Sequence, residues 1–266
     1  MTLRVALCQT EGRFADKQGA IRLLAAEAQA ARDDGADVLV FPELFLTGYN
    51  LGADRAAALA EPADGPSVLA AREIARAAGL ALCFGFPERV GDGVANAAVL
   101  IAADGDIVLR YRKAHLFGEI DRAMFATTGQ AFPIVPYGGI KLGLAICYDI
   151  EFPETIRLLA LAGAEAVLVP TALMEPYEIV PRAVIPSRAY ESQVYVAYAN
   201  HCGEEAGLRY VGLSCIAGPD GAVLAMAGQG PARISAVIDP AHLAAVRARD
   251  TLLDDRRPEL YGPLAG

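Results

Sequence analysis

Gly143-Leu-Ala-Ile-Cys-Tyr-Asp-Ile-Glu-Phe-Pro-Glu154 is the stretch whose reading decides the fold. The run from Ile140 to Ile146 is apolar almost throughout and follows the turn pair Gly138-Gly139, the pattern of a buried strand. Pro153 with Glu154 behind it opens a helix, predicted to run through Leu158, Leu159 and Leu161 to a stop at Gly163. Cys147 therefore stands where a buried strand ends and the chain turns toward a helix. Ligands of α/β folds bind at the carboxyl ends of strands. A free cysteine is more often a packing residue than a nucleophile, so the rest of the chain has to decide between the two.

The same alternation extends on both sides. A strand is predicted over Leu3 to Cys8, a helix over Ala15 to Asp34, and an apolar strand over Val38 to Phe41 that breaks at Pro42-Glu43. Helical stretches follow at Asp54 to Leu59 and Ser67 to Ala78, then a buried strand at Leu80 to Phe86. Asn96 to Ala102 and Ile107 to Tyr111 flank the turn Ala103-Asp104-Gly105, and Leu213 to Ala217 and Ala222 to Met226 flank Pro219-Asp220-Gly221. Between these hairpins a strand at Val167 to Val169, a helix at Ala183 to Gln193 and a strand at Val194 to Ala199 repeat the strand–helix–strand order. Two similar halves of this kind predict an α/β fold with two mixed sheets packed face to face and helices outside. Residues 1–266 read as one domain. Residues 239–266, with the charged run Asp254-Asp255-Arg256-Arg257-Pro258-Glu259, read as a frayed tail or an arm packed on a partner subunit.

Composition narrows the function classes. With 54% hydrophobic and 21% charged residues, the chain is globular and not disordered. A net charge of −9, spread along the chain, argues against nucleic acid or an anionic membrane as partner. The N-terminal apolar run is too short for a signal peptide, and no stretch has the length of a membrane span, so a cytoplasmic location is expected. Five cysteines (Cys8, Cys83, Cys147, Cys202 and Cys215) without close spacing indicate reduced thiols. Three scattered histidines, His115, His201 and His242, give no metal-binding pattern, so no metal or other cofactor is expected.

Three polar residues stand at the ends of apolar stretches: Glu43, Lys113 and Cys147. Individually they read as a helix-start carboxylate, a loop cation and a packing thiol. Together they form a chemical unit. A thiol with a pKa of about 8.5 is mostly protonated at neutral pH and needs a base before it attacks a carbonyl or nitrile carbon. Glu43 can accept that proton and return it to a leaving amine, while Lys113 and a backbone N–H after Cys147 meet the developing oxyanion. A pairing of Cys147 with His115 or His201 is the rival arrangement.

At this point the chain resembles, over nearly its full length, the nitrilase (carbon–nitrogen hydrolase) superfamily. The resemblance rests on Phe41-Pro-Glu-Leu-Phe-Leu-Thr-Gly-Tyr49, Arg112-Lys-Ala-His-Leu-Phe117 and Cys147-Tyr-Asp-Ile-Glu-Phe-Pro-Glu154, in that order. It implies a four-layer αββα sandwich, with Glu43 as base, Lys113 as oxyanion stabiliser and Cys147 as nucleophile. It also implies a thioester acyl-enzyme hydrolysed by water, no cofactor, and pairing into an αββααββα homodimer or higher assembly. Members carry a further acid after the lysine; here its spacing favours Asp121, with Glu119 two residues earlier. An aspartate in that role departs from the more usual glutamate.

Tyr148-Asp149 after the cysteine, in a chain with no tryptophan, looks like the amidase branches and unlike the nitrilases proper. The resemblance then implies small carboxamides as substrates, with N-carbamoyl amines or nitriles as the alternatives. Tyr49, Phe125, Tyr148, Leu173, Met174 and Tyr177 are the pocket candidates, and Glu175 is a candidate partner for an amine-bearing substrate. A sandwich-fold binding protein without activity, and an amidotransferase domain serving a separate synthetase, are the competing classes. The intact Glu43, Lys113 and Cys147 argue against the first.

Overall fold

Strands that are apolar along most of their length must be covered on both faces, and most of the predicted strands are of this kind. The computed structural model describes residues 1–126, 128, 129 and 131–265. In chain order the main elements are β1 (Leu3–Glu11), α1 (Lys17–Asp33), β2 (Val38–Val40), α2 (Ala53–Leu59), α3 (Pro66–Ala78), β3 (Ala81–Val90), β4 (Gly93–Ile101) and β5 (Ile107–Arg112). Then follow α4 (Gly118–Met124), β6 (Ile134–Tyr137), β7 (Ile140–Leu144), a short 3₁₀ turn (Cys147–Glu151), α5 (Pro153–Leu161) and β8 (Ala166–Thr171). The chain continues with α6 (Ile185–Ser192), β9 (Tyr195–Glu205), β10 (Leu208–Val211), β11 (Cys215–Ala217), β12 (Val223–Met226), β13 (Ala232–Ile238) and α7 (Pro240–Arg249).

These strands form two mixed sheets of matching design. In the first, β1, β2 and β3 run parallel, β4 and β5 continue antiparallel beyond β3, and β13 lies antiparallel on the other side of β1. In the second, β7, β8 and β9 run parallel, β11 and β12 continue antiparallel beyond β9, and β6 lies antiparallel beside β7. The ends of β1 and β9 join the sheets at one corner through Thr10 opposite His201 and Glu11 opposite Cys202. The predicted likeness of the two halves is therefore a likeness of topology. Its closing strand in the first sheet, β13, is not evident from sequence because five of its seven residues remain partly or fully exposed.

Alternation along each strand supplies the layers. Val5 and Leu7, Val38 and Val40, Leu142 and Leu144, and Leu168 all point into the space between the sheets. The opposite faces, Leu39, Leu82, Phe84 and Val99, pack against α1 and α3 through Leu24, Ala28, Val68 and Ala71. On the far side Val167, Val169 and Val196 pack against α5 and α6 through Ile156, Leu159, Ile185 and Ala189. The result is the αββα order.

Within the C-terminal segment, residues 240–249 form a helix that packs on this chain. Asp239 caps α7 by accepting from the Ala241 N–H at 2.9 Å, and Leu243 and Val246 are buried within this chain. Arg247 donates to the carbonyls of Gln193 and Ala164, which ties the helix down. Its two buried positions, three apart, are too short a pattern to stand out in a charged sequence. Beyond Asp250 the described residues are mostly exposed.

Candidate active site

Each of the three candidate residues lies just past the carboxyl end of a strand: Glu43 after β2, Lys113 after β5 and Cys147 after β7. All three are buried; Glu43 and Lys113 are 0% exposed and Cys147 7%. They meet because β2 and β5 belong to one sheet, β7 belongs to the other, and the two share a core.

Glu43 is held in a tight turn. Leu44 behind it has φ +49°, and the Glu43 N–H donates to the Thr171 carbonyl of β8 at 3.3 Å. Gly85 of β3 makes room for this turn. A Cβ there would lie 2.4 Å from the Leu44 nitrogen and 2.8 Å from the Glu43 Cα. Below the turn His201 donates through Nε2 to the Glu43 carbonyl at 2.7 Å, and burial depresses its pKa, which keeps the ring neutral. Glu205 steadies the following loop by accepting from the N–H groups of Tyr49 (2.7 Å) and Asn50 (3.1 Å).

The Glu43 carboxylate is held by one oxygen. Its Oε1 accepts from Asn96 Nδ2 at 2.6 Å and from Lys113 Nζ at 2.7 Å. Its Oε2 is buried and has no hydrogen-bond partner among the described residues. Lys113 also donates to Asp121 Oδ2 at 2.7 Å, and Asp121 accepts from the Tyr49 hydroxyl (2.8 Å) and the Phe117 N–H (2.9 Å). The structure brings Asp121 to Lys113 while Glu119 is out at the surface beside Arg122.

Cys147 has φ +45°, a left-handed conformation that costs a residue with a Cβ about 1–2 kcal/mol. Asp149 holds the turn in that shape. It accepts from the Ile146 N–H (3.0 Å) and the Tyr111 hydroxyl (2.8 Å) on one oxygen, and from the His115 N–H (2.9 Å) on the other, where His115 Nδ1 also lies at 2.8 Å. One carboxylate thus ties the Cys147 turn to the segment that carries Lys113.

The electrostatics follow from burial. Desolvation raises the Glu43 carboxyl, against the opposing pull of Lys113. Burial alone would lower the Lys113 ammonium, but Glu43 and Asp121 outweigh it and hold Lys113 well above its ordinary value. Burial, reinforced by the Glu43 charge, pushes the Cys147 thiol well above its usual pKa, with Lys113 and a backbone hydrogen bond from Ala172 opposing. The resting arrangement is a protonated thiol near a carboxylate with one oxygen unoccupied and a lysine that stays charged. It can activate a sulfur nucleophile and neutralise an oxyanion.

A narrow cleft opens at Cys147, lined by Tyr49, Phe117, Glu151, Ala172, Leu173 and Met174. Three of the predicted pocket residues, Tyr49, Leu173 and Met174, thus reach it. Tyr148 packs edge-on against Phe117 and Phe152, with ring centroids 5.2 and 5.0 Å apart, and supports the wall from behind. Tyr177 is edge-on to Phe117 and partly exposed, and Phe125 is buried in the cluster behind Tyr49. Glu175 is exposed and does not line the cleft. Neither His115 nor His201 makes a hydrogen bond to Cys147 among the described residues; each is engaged elsewhere.

Sequence reading gave no role to Asn96, Glu151 or Glu205, and it named Asp149 and His201 only in other roles, as a branch marker and as a rival partner of Cys147. Asn96 carried a signal, as a polar residue opening an apolar strand, and so did Asp149, as a turn-capping type two residues after the cysteine. Glu205 and His201 carried none, because their partners lie more than 150 residues away. Among the described residues no group of three or more His, Cys, Asp or Glu is placed to hold a metal ion, and no helix is long and apolar enough to cross a membrane.

Comparison with known proteins agrees with this geometry. A family model described as carbon-nitrogen hydrolase matches residues 4–248. A Pseudomonas protegens protein described as a hydrolase in pqqF 5'region is 51% identical over 99% of this chain and 92% of its own length. An (R)-stereoselective amidase from Pseudomonas sp. is 38% identical over 98% of this chain and 93% of its own. A crystal structure of an amidase from Nesterenkonia sp. superposes with a TM-score of 0.85 at 35% identity, covering 97% of this chain and 95% of that one. A mutant of the Nesterenkonia sp. AN1 amidase shows covalent addition of the acetamide moiety of fluoroacetamide at its active site cysteine.

Proposed function

The chain belongs to the carbon–nitrogen hydrolase family, and from that premise we propose that Glu43, Lys113, Asp121 and Cys147 are the catalytic residues of an amidase that converts small carboxamides to carboxylic acids and ammonia. The observation that carries the reading is the unpartnered, buried Oε2 of Glu43, beside a lysine already engaged on Oε1. That oxygen is the acceptor for the thiol proton. Sγ of Cys147 attacks the amide carbon as Glu43 takes its proton, and the tetrahedral oxyanion is met by Lys113 and the backbone N–H after Cys147. Glu43 returns the proton to the leaving nitrogen, ammonia departs, and a thioester remains. Water, deprotonated by Glu43, attacks the thioester; the sulfur leaves and regains the proton. Asp121 holds Lys113 in place and keeps it charged.

The chain is thus a cysteine-dependent enzyme whose second reactant is water. The narrow cleft and its largely apolar walls suit a short acyl group. We extend the reading to a homodimer in which α5 and α6 meet a second copy. Leu158 and Leu161 on α5, Tyr190 on α6, and Leu260 in the C-terminal segment are exposed apolar side chains. Sedimentation of the purified protein tests this, and a monomer at micromolar concentration would refute it.

Ammonia release from carboxamides, nitriles and N-carbamoyl amines, with Cys147→Ala as control, tests the chemistry. Release from carboxamides, lost in Cys147→Ala, is expected. Release from nitriles or N-carbamoyl amines alone would reject the amide assignment, and ordinary activity in Cys147→Ala would reject the thioester route.

A further inference from the structure

Glu151 ends the same 3₁₀ turn that begins with Cys147, and it lines the cleft together with Cys147. Its backbone is firmly held: Arg188 donates through Nη2 to the Glu151 carbonyl at 2.7 Å and through Nε to that of Ile150 at 2.9 Å. The same guanidinium pairs with Glu191 at 3.0 Å. The Glu151 carboxylate has no such partner. Among the described residues no hydrogen bond reaches it, and no cation lies within the 4 Å of an ion pair. The neighbouring cleft walls are Tyr49, Phe117, Leu173 and Met174, and no lysine, arginine or histidine lines the cleft. Lys113 behind the thiol is already shared by two carboxylates.

We propose that Glu151 sets the charge preference of the cleft, favouring carboxamides whose acyl part carries an ammonium group and rejecting those that carry a carboxylate. The proposal rests on the amidase reading above and names its substrate class. An ammonium entering beside Cys147 meets an unpaired carboxylate, in a cleft that Tyr49 and Phe117 also line. A carboxylate meets a like charge in a half-buried site with no cation free to neutralise it. Burial raises the Glu151 carboxyl, with Arg188 and Lys113 opposing, so a cationic ligand would also relieve the cost of holding the charge there. Glu175, the acid that the sequence nominated for this task, is exposed outside the cleft.

The test uses three amides with four-carbon chains on the full-length protein: butanamide, 4-aminobutanamide and succinamate. The expected order of kcat/KM is ammonium, neutral, carboxylate, with a step of about 10- to 100-fold between ammonium and neutral. In Glu151→Gln the ratio of ammonium to neutral should fall toward one, mainly through KM, and in Glu151→Arg it should invert. Thermal melts of both variants establish that they fold. Hydrolysis of all three amides within threefold of one another, or an unchanged ratio in folded Glu151→Gln, would overturn the charge proposal and leave the amidase reading standing. Silence toward all three, including the neutral amide, would overturn both.

Discussion

Replacing Asp149 with alanine removes one carboxylate and strands the groups that point at it. Those are the Ile146 N–H, the Tyr111 hydroxyl, the His115 N–H and, when protonated, His115 Nδ1, all between 2.8 and 3.0 Å from its oxygens. Each buried donor left unsatisfied costs about 1–3 kcal/mol. Even at the low end, counting only the Ile146 N–H, the Tyr111 hydroxyl and the His115 N–H, the loss is about 3 kcal/mol, which for a chain of this size lowers Tm by roughly 6–12 °C. The catalytic effect has a separate origin. Cys147 sits at φ +45°, and that conformation persists only while its surroundings enforce it. Without the carboxylate the turn relaxes and the thiol leaves its place beside Glu43 and Lys113. A misplacement of about 1 Å costs on the order of 100-fold in rate. The assay is kcat on a good carboxamide, at a temperature where the melt shows the variant folded, together with the rate of iodoacetamide labelling at Cys147. Tyr111→Phe, which removes one donor and leaves Asp149 in place, should lose little in comparison. If Asp149→Ala kept kcat within threefold of the native value and melted within 2 °C of it, the idea that this carboxylate enforces the nucleophile's backbone would be wrong.

Lys113→Met leaves the Glu43 and Asp121 carboxylates buried with no cation between them, a change expected to cost about 3–5 kcal/mol of stability. It should depress kcat far more than it raises KM, and a pure KM effect would contradict an oxyanion role. Gly85→Ala should push the Glu43 turn outward, because the new Cβ would meet backbone atoms at 2.4 and 2.8 Å; at least a tenfold fall in kcat is expected, and native turnover would show that the turn has slack. Because burial raises the Glu43 carboxyl, the base is lost as pH falls through a value above the ordinary carboxylate range, so the acid limb of kcat/KM should lie above about 4.5. In the same window the folded state binds its proton more readily than the unfolded one, so this group's contribution to stability falls as pH rises. A pH profile from 4 to 10 with the acid limb at or below 4 would remove Glu43 from the role of base.

Glu43 and Cys147 were legible because each follows a largely apolar, buried strand whose stopping point is visible in the residues alone, and Lys113 because it stands just past the hairpin strand β5, with its alternating Leu109, Arg110, Tyr111 and Arg112. The strand–helix alternation and the two hairpins were legible for the same reason, since period and turn chemistry are local. Asp121 was preferred over Glu119 only through the spacing that the family resemblance implies; nothing in the residues themselves separates the two. Both lie in the first turn of a seven-residue helix, and only the packing of α4 decides that Asp121 faces Lys113 while Glu119 faces solvent. Glu175 and Glu151 were equally ambiguous, each a carboxylate near an aromatic-rich segment.

The sequence by itself determined which side chains can do chemistry and where the chain turns, because propensity, burial and nucleophile type are properties of a residue and its near neighbours. Only the tertiary structure decided who faces whom. It placed the unpaired oxygen of Glu43, the His201 contact at its carbonyl, the anchoring of the Cys147 turn by Asp149, and Glu151 in the cleft. Those pairings span up to 158 positions of chain. They exist because two sheets, each stable only with both faces covered, must close on one shared core, and that closure sets distances that no local pattern encodes.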